Sequence, residues 1–94
     1  MQSAPIPHDL DTIRSVIRSL IADVAGLPPG AVTDDVGLDE IGIDSLLIVE
    51  VVVGIQRELG VGVPPSEFRV DIRTVGDVCD LLGNYVARAG AAAA

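Results

Sequence analysis

The chain has 94 residues, enough for one domain, and a domain of that size buries only about 60% of its unfolded surface, so its core is small. Hydrophobic residues make up 49% of the chain and aromatics 2%, so that core has to be built from Val, Ile, Leu and Ala. Six arginines and no lysine stand against 14 acids, a net charge of −8, which disfavours nucleic acid and anionic membranes and favours partners with basic patches.

Residues 1–8, with Pro5, Pro7 and the single His8, read as a linker. They lack the basic and apolar regions of a signal peptide. Residues 9–88 read as the folded domain. Leu10, Ile13, Ile17, Leu20, Ile21 and Val24 recur at three- and four-residue steps and predict a first helix, with Asp9 and Asp11 as favourable anions at its start. Gly26 and Pro28-Pro29-Gly30 end it. The connection from Gly26 to Ile43 exceeds the roughly 12–15 residues beyond which structureless loops are uncommon. Its Val32, Val36, Leu38 and Ile41 can pin it to the helices, so an ordered loop is expected. The acids Asp34-Asp35 and Asp39-Glu40 have no EF-hand spacing and no Cys or His beside them, and read as solvated loop carboxylates rather than a metal site.

A second helix is expected from about Ser45 to Leu59, with Asp44 as N-cap and Gly60 as its stop. It carries two apolar stripes. Ile48, Val51, Val52, Ile55 and Leu59 suit a core face. Leu46, Val49 and Val53 form a second stripe beginning one residue after Ser45. A small bundle seldom buries a whole helix circumference, so this stripe is either core or an exposed strip of the kind helix-in-groove recognition uses. Its position beside the serine favours the strip.

Ser45 is the most informative residue. A hydroxyl at a helix N-terminus meets free backbone N–H groups and the positive dipole end, which favour an attached phosphate. A nucleophilic serine would need a base, and the chain offers no lysine and only His8, in the N-terminal linker. A Gly-x-Ser-x-Gly elbow is also missing. The residues therefore point to covalent attachment rather than hydrolysis.

Beyond Gly60, a short helical turn is expected near Ser66–Arg69. A third long helix follows Thr74, whose spacing to Asp77 suits a capping box, and Val75, Val78, Leu82 and Val86 form its buried stripe. The single Cys79 lies in this apolar stripe and reads as a small buried hydrophobe. One cysteine excludes an internal disulfide and fits a reducing compartment, so the expected location is cytoplasmic. No apolar run nears the roughly 18 residues of a membrane span. Residues 89–94 read as an Ala-rich linker or tail. Linker-like composition at both ends suits a domain cut from a longer polypeptide.

Over residues 10–88 the chain resembles the acyl carrier protein family. The resemblance rests on Leu38-Asp39-Glu40-Ile41-Gly42-Ile43-Asp44-Ser45-Leu46, then Val49-Glu50-Val51, Leu59-Gly60-Val61, Val63-Pro64 and Thr74-Val75-Gly76-Asp77, all in register. It implies an all-α, right-handed four-helix bundle, with three longer helices, one short helix and a long loop between the first and second. It implies that Ser45 carries 4′-phosphopantetheine, transferred from coenzyme A by a phosphopantetheinyl transferase. Acyl intermediates would ride as thioesters on the arm of a non-catalytic carrier domain. Asp44 would cap the helix and orient Ser45, while Leu46, Val49, Glu50 and Val53 would form the partner surface.

The second helix departs from stand-alone fatty-acid carriers. Leu47, Gln56 and Arg57 replace expected acids, leaving Glu50 and Glu58 as its only negative charges. That pattern looks more like a polyketide synthase carrier domain, serving ketosynthase, acyltransferase and other synthase domains whose tethering supplies effective concentration. Pro64-Pro65-Ser66-Glu67-Phe68 and the linker-like ends lean toward a multidomain, iterative synthase. Asp44 argues against a peptidyl carrier of nonribosomal synthesis, which more often has Gly or His before the serine. The isolated domain is expected to be a monomer. The alternatives are a stand-alone fatty-acid-type carrier and a non-covalent helical docking module.

Overall fold

Asp9 opens the first helix by accepting the backbone N–H of Asp11 at 3.2 Å and the hydroxyl of Thr12 at 2.8 Å, which satisfies donors that have no partner inside the helix. The computed structural model describes residues 9–64 and 72–93. Among these it is all-helical, with α1 (Leu10–Ala25), α2 (Ser45–Leu59) and α3 (Val75–Ala93). The long connection between α1 and α2 contains two 3₁₀ turns, Pro29–Ala31 and Asp39–Ile41. The short helix expected at Ser66–Arg69 lies outside the described residues.

α1 packs against both α2 and α3. Ile13, Ile17 and Ile21 of α1, Val51 and Ile55 of α2, and Val75, Val78, Leu82 and Val86 of α3 are all 0% exposed. These are positions the 3.6-residue period selects, and each such side chain contributes about 1.5–3 kcal/mol when fully buried. Leu10 departs from the expected α1 stripe. It sits at the exposed helix start, where its side chain lies beside Gly83. Leu20 and Val24 are half-buried against the core. Gly54 of α2 leaves room for the Leu20 side chain of α1, whose Cδ2 would lie 2.8 Å from a Cβ there.

The long loop is pinned as its apolar residues imply. Val32, Leu38 and Ile43 are buried, and Val36 and Ile41 pack partly against the core. Its backbone also pairs with the segment entering α3. Val75 donates to the Val36 carbonyl, Leu38 to the Arg73 carbonyl and Gly76 to the Asp34 carbonyl, each at 2.9 Å. One antiparallel bridge, Gly37 to Thr74, results. Polar side chains reinforce the same junction, with Arg14 of α1 paired with Asp80 of α3 and, at 3.1 Å, with Asp34 of the loop, while Arg18 also pairs with Asp34.

The capping box at α3 forms in full. Thr74 Oγ1 accepts the Asp77 N–H at 3.1 Å, and Asp77 Oδ2 accepts the N–H groups of Thr74 and Arg73 at 3.1 and 2.9 Å. α3 runs on to Ala93, so the backbone of the alanine run is helical over most of its length, in keeping with alanine's high helix propensity. Cys79 is buried in the core, and burial pushes its thiol pKa up.

Candidate functional site

The loop delivers the chain to α2 through a tight, self-bonded turn. Glu40 Oε1 accepts the Gly37 N–H at 2.6 Å. The Leu38 carbonyl accepts the N–H groups of Ile41 at 3.2 Å and Ile43 at 2.8 Å. Between them Gly42 adopts the left-handed conformation at φ 76°, which costs any residue with a Cβ roughly 1–2 kcal/mol. Buried Ile43 anchors the end of the turn. Asp44 follows in extended conformation and becomes the N-cap, its Oδ1 accepting the Leu47 N–H at 3.0 Å. Ser45 is the first residue of α2 and is exposed.

This arrangement leaves the N–H groups of Ser45 and Leu46 without intrahelical acceptors, because a helix begins with four such donors and Asp44 satisfies that of Leu47. The helix dipole adds positive potential at the same place. The exposed Ser45 thus stands beside donors and a dipole end of the kind that favour an anion.

Two apolar surfaces adjoin the serine. The first is the outward strip of α2, where Leu46 is 76%, Val49 56% and Val53 50% exposed. The second stripe in the sequence is therefore a surface rather than core. Glu50 is exposed on the same face. The second surface is a cleft of about 550 Å³ walled by Leu38, Ile43, Ile48, Val52, Val63 and Ile72, with Asp39, Asp44, Ser45, Val49 and Arg73 completing its lining. Ile48 and Val52, expected to face the core, are half-buried because they line this cleft.

The sequence residues Asp44, Ser45, Leu46, Val49, Glu50 and Val53 thus gather at one end and along one face of α2. Sequence reasoning missed the cleft and its contributors Val63, Ile72 and Arg73. Val63 entered only through the Val63-Pro64 pattern, and Ile72 and Arg73 lie outside any helical stripe, so no local signal placed the three beside Ser45. No group of three or more metal-ligating side chains occurs among the described residues. His8 lies outside them. No helix among them is long and apolar enough to cross a membrane.

Comparison with known proteins bears on the same residues. Residues 15–82 match the family model described as "Phosphopantetheine attachment site". The chain is 35% identical over 75 residues to the acyl carrier protein of Acidothermus cellulolyticus, covering 79% of this chain and 88% of that one. It is 39% identical over 67 residues to the non-reducing polyketide synthase albA of Aspergillus niger, covering 71% of this chain but 3% of that much longer one. It is 34% identical over 74 residues to the meromycolate extension acyl carrier protein of Mycobacterium bovis, covering 78% of this chain and 64% of that one.

Proposed function

Because the chain belongs to the acyl carrier protein family, non-catalytic carriers with a covalently attached 4′-phosphopantetheine, we propose that Ser45 is the residue that bears the arm. The observation that carries this reading is the exposed Ser45 hydroxyl at the first position of α2, beside unclaimed backbone N–H groups. A phosphopantetheinyl transferase supplies the arm from coenzyme A, and its terminal thiol carries acyl intermediates as thioesters between partner enzymes. Asp44 holds the helix start, and Leu46, Val49, Glu50 and Val53 form the surface those enzymes dock on. The carrier unit is residues 9–88, completed by a short fourth helix, and it works as a cytoplasmic monomer when isolated.

The cargo is best read as polyketide, handed among ketosynthase, acyltransferase and other domains of a larger synthase. Two features support this. The outward face of α2 is apolar rather than acidic, which suits partners kept near by tethering. The likeness to the polyketide synthase also reaches 39% identity. A second reading, a stand-alone fatty-acid-type carrier, is favoured by the fit to a short acyl carrier protein along 88% of its length.

Incubation of the purified apo-protein with coenzyme A and a promiscuous transferase tests the attachment by intact mass. One arm is expected on the wild type and none on Ser45→Ala. An unmodified wild type, or a variant that still gains the arm, overturns the assignment, and the first result favours a non-covalent docking module if partner binding is also indifferent to Ser45→Ala. The two cargo readings separate when the loaded carrier is offered to ketosynthases of each pathway.

A further inference from the structure

We propose that Arg73 holds the phosphodiester of the arm on Ser45, an inference that rests on Ser45 being the attachment residue. The cleft beside Ser45 has carboxylates at Asp39 and Asp44 and, among the described residues, a single cation, Arg73. Arg14 and Arg18 are engaged with Asp34 and Asp80 at the α1–α3 junction. Arg57 and Arg88 lie near the C-terminal ends of α2 and α3.

The backbone ties Arg73 to the turn that leads into the serine, and both residues line the same cleft. The Arg73 carbonyl accepts the Leu38 N–H at 2.9 Å, and the Leu38 carbonyl accepts the Ile43 N–H at 2.8 Å, two residues before Ser45. Its own N–H donates to Asp77 Oδ2 at 2.9 Å. Both backbone polar groups are thus committed to structure, while the residue as a whole is exposed at the cleft. Among the described residues its guanidinium has no hydrogen-bond or ion-pair partner, although its charge lies near enough to Asp77 to help lower that carboxyl, so the side chain can answer a new charge in the cleft.

Attachment of the arm creates that charge. A phosphodiester adds a negative group to a lining that already holds Asp39 and Asp44, and one Asp44 oxygen is already engaged by the Leu47 N–H. Opposed only by helix N–H groups, the anion would be pushed outward by these carboxylates. A guanidinium matches phosphate oxygens as a planar fork, which an ammonium does not reproduce. Arg73 therefore sets where the arm leaves the protein and keeps its first segment at the mouth of the apolar cleft.

The test is phosphorus NMR of the loaded protein, with the arm installed from coenzyme A and confirmed by mass. The resonance of the wild type is expected to differ from that of Arg73→Gln at low salt, with Arg73→Lys between them and Arg88→Gln matching the wild type. At about 1 M salt, where the Debye length falls to about 3 Å, the wild-type signal should move toward that of Arg73→Gln. Far-UV circular dichroism checks that the variants stay folded, as expected when only an exposed side chain changes. Coincident wild-type and Arg73→Gln resonances at low salt, or an equal shift in Arg88→Gln, overturn the role of Arg73 while leaving the arm on Ser45 intact. A wild type that takes no arm overturns both.

Discussion

Asp44 Oδ1 accepts the backbone N–H of Leu47 at 3.0 Å, so one carboxylate closes the first turn of the helix that presents Ser45. Asp44→Ala should lower stability by about 1 kcal/mol, seen as a lower denaturation midpoint with unchanged m-value. Asp44→Asn should recover most of that loss, because an amide oxygen also caps. Arm-loading rates on the two variants then separate the cap from the charge, and Asp44→Ala is expected to load more slowly than Asp44→Asn.

Val49 is expected to matter for partners and not for folding. It is 56% exposed, and surface substitutions of this kind stay within about 0.5 kcal/mol. Burial of a valine side chain in an interface contributes about 1.5 kcal/mol, and 1.4 kcal/mol is tenfold in affinity. Val49→Asp should therefore leave the melting temperature near that of the wild type and slow arm loading by about tenfold in kcat/KM. A variant that loads at the wild-type rate removes Val49 from the transferase footprint.

The α3 capping box makes one acid response specific. The N–H groups of Arg73 and then Thr74 hold the Asp77 carboxyl below the usual carboxylate range. A group whose pKa is lowered by folding contributes stability that is complete above its unfolded value and disappears as pH falls through its folded value. The wild type should thus lose stability below the ordinary carboxylate range more steeply than Asp77→Asn. Denaturant midpoints of both proteins across that range check the sign.

Arg14 binds the loop to α1 and α3, with its pKa raised chiefly by the hydrogen bond to Asp80. Its partners Asp34 and Asp80 are more than half exposed, so solvent screens the pairs. Arg14→Met, which keeps an apolar stem and removes the charge, should cost about 0.2–1 kcal/mol. The deficit should shrink at high salt. A loss several times larger would show that packing of the side chain dominates its charge.

The parts of this structure readable in advance are those with local or periodic signatures. The stripe Ile13–Ile17–Ile21 marks a buried face by spacing alone, and Asp44 and the Thr74–Asp77 pair mark helix starts within four residues. Leu46, Val49 and Val53 could be separated from the core because one helix offered two apolar faces where a small bundle covers one. The pairing of Val36 with Val75 and of Leu38 with Arg73 had no such signature, since it joins segments far apart in sequence through backbone groups that every residue possesses. The Arg14–Asp34–Asp80 cluster was hidden for a related reason: charged residues on a solvated surface look alike until the fold chooses their neighbours. The cleft was equally invisible because its wall draws on four separate stretches of chain, and the alanine run at the end read as tail because its composition lacks a polar face.

The Gly37–Thr74 bridge has a consequence for synthesis. Thr74 and Val75 leave the ribosome after Ser45, so the emerging serine at first has no partner segment to hold its loop. Until α3 follows, the carbonyls of Asp34 and Val36 face water, and the turn through Gly42 must be kept by its own hydrogen bonds. The loop that positions the hydroxyl is completed by nearly the last part of the domain to appear, which ties a finished attachment site to a finished domain.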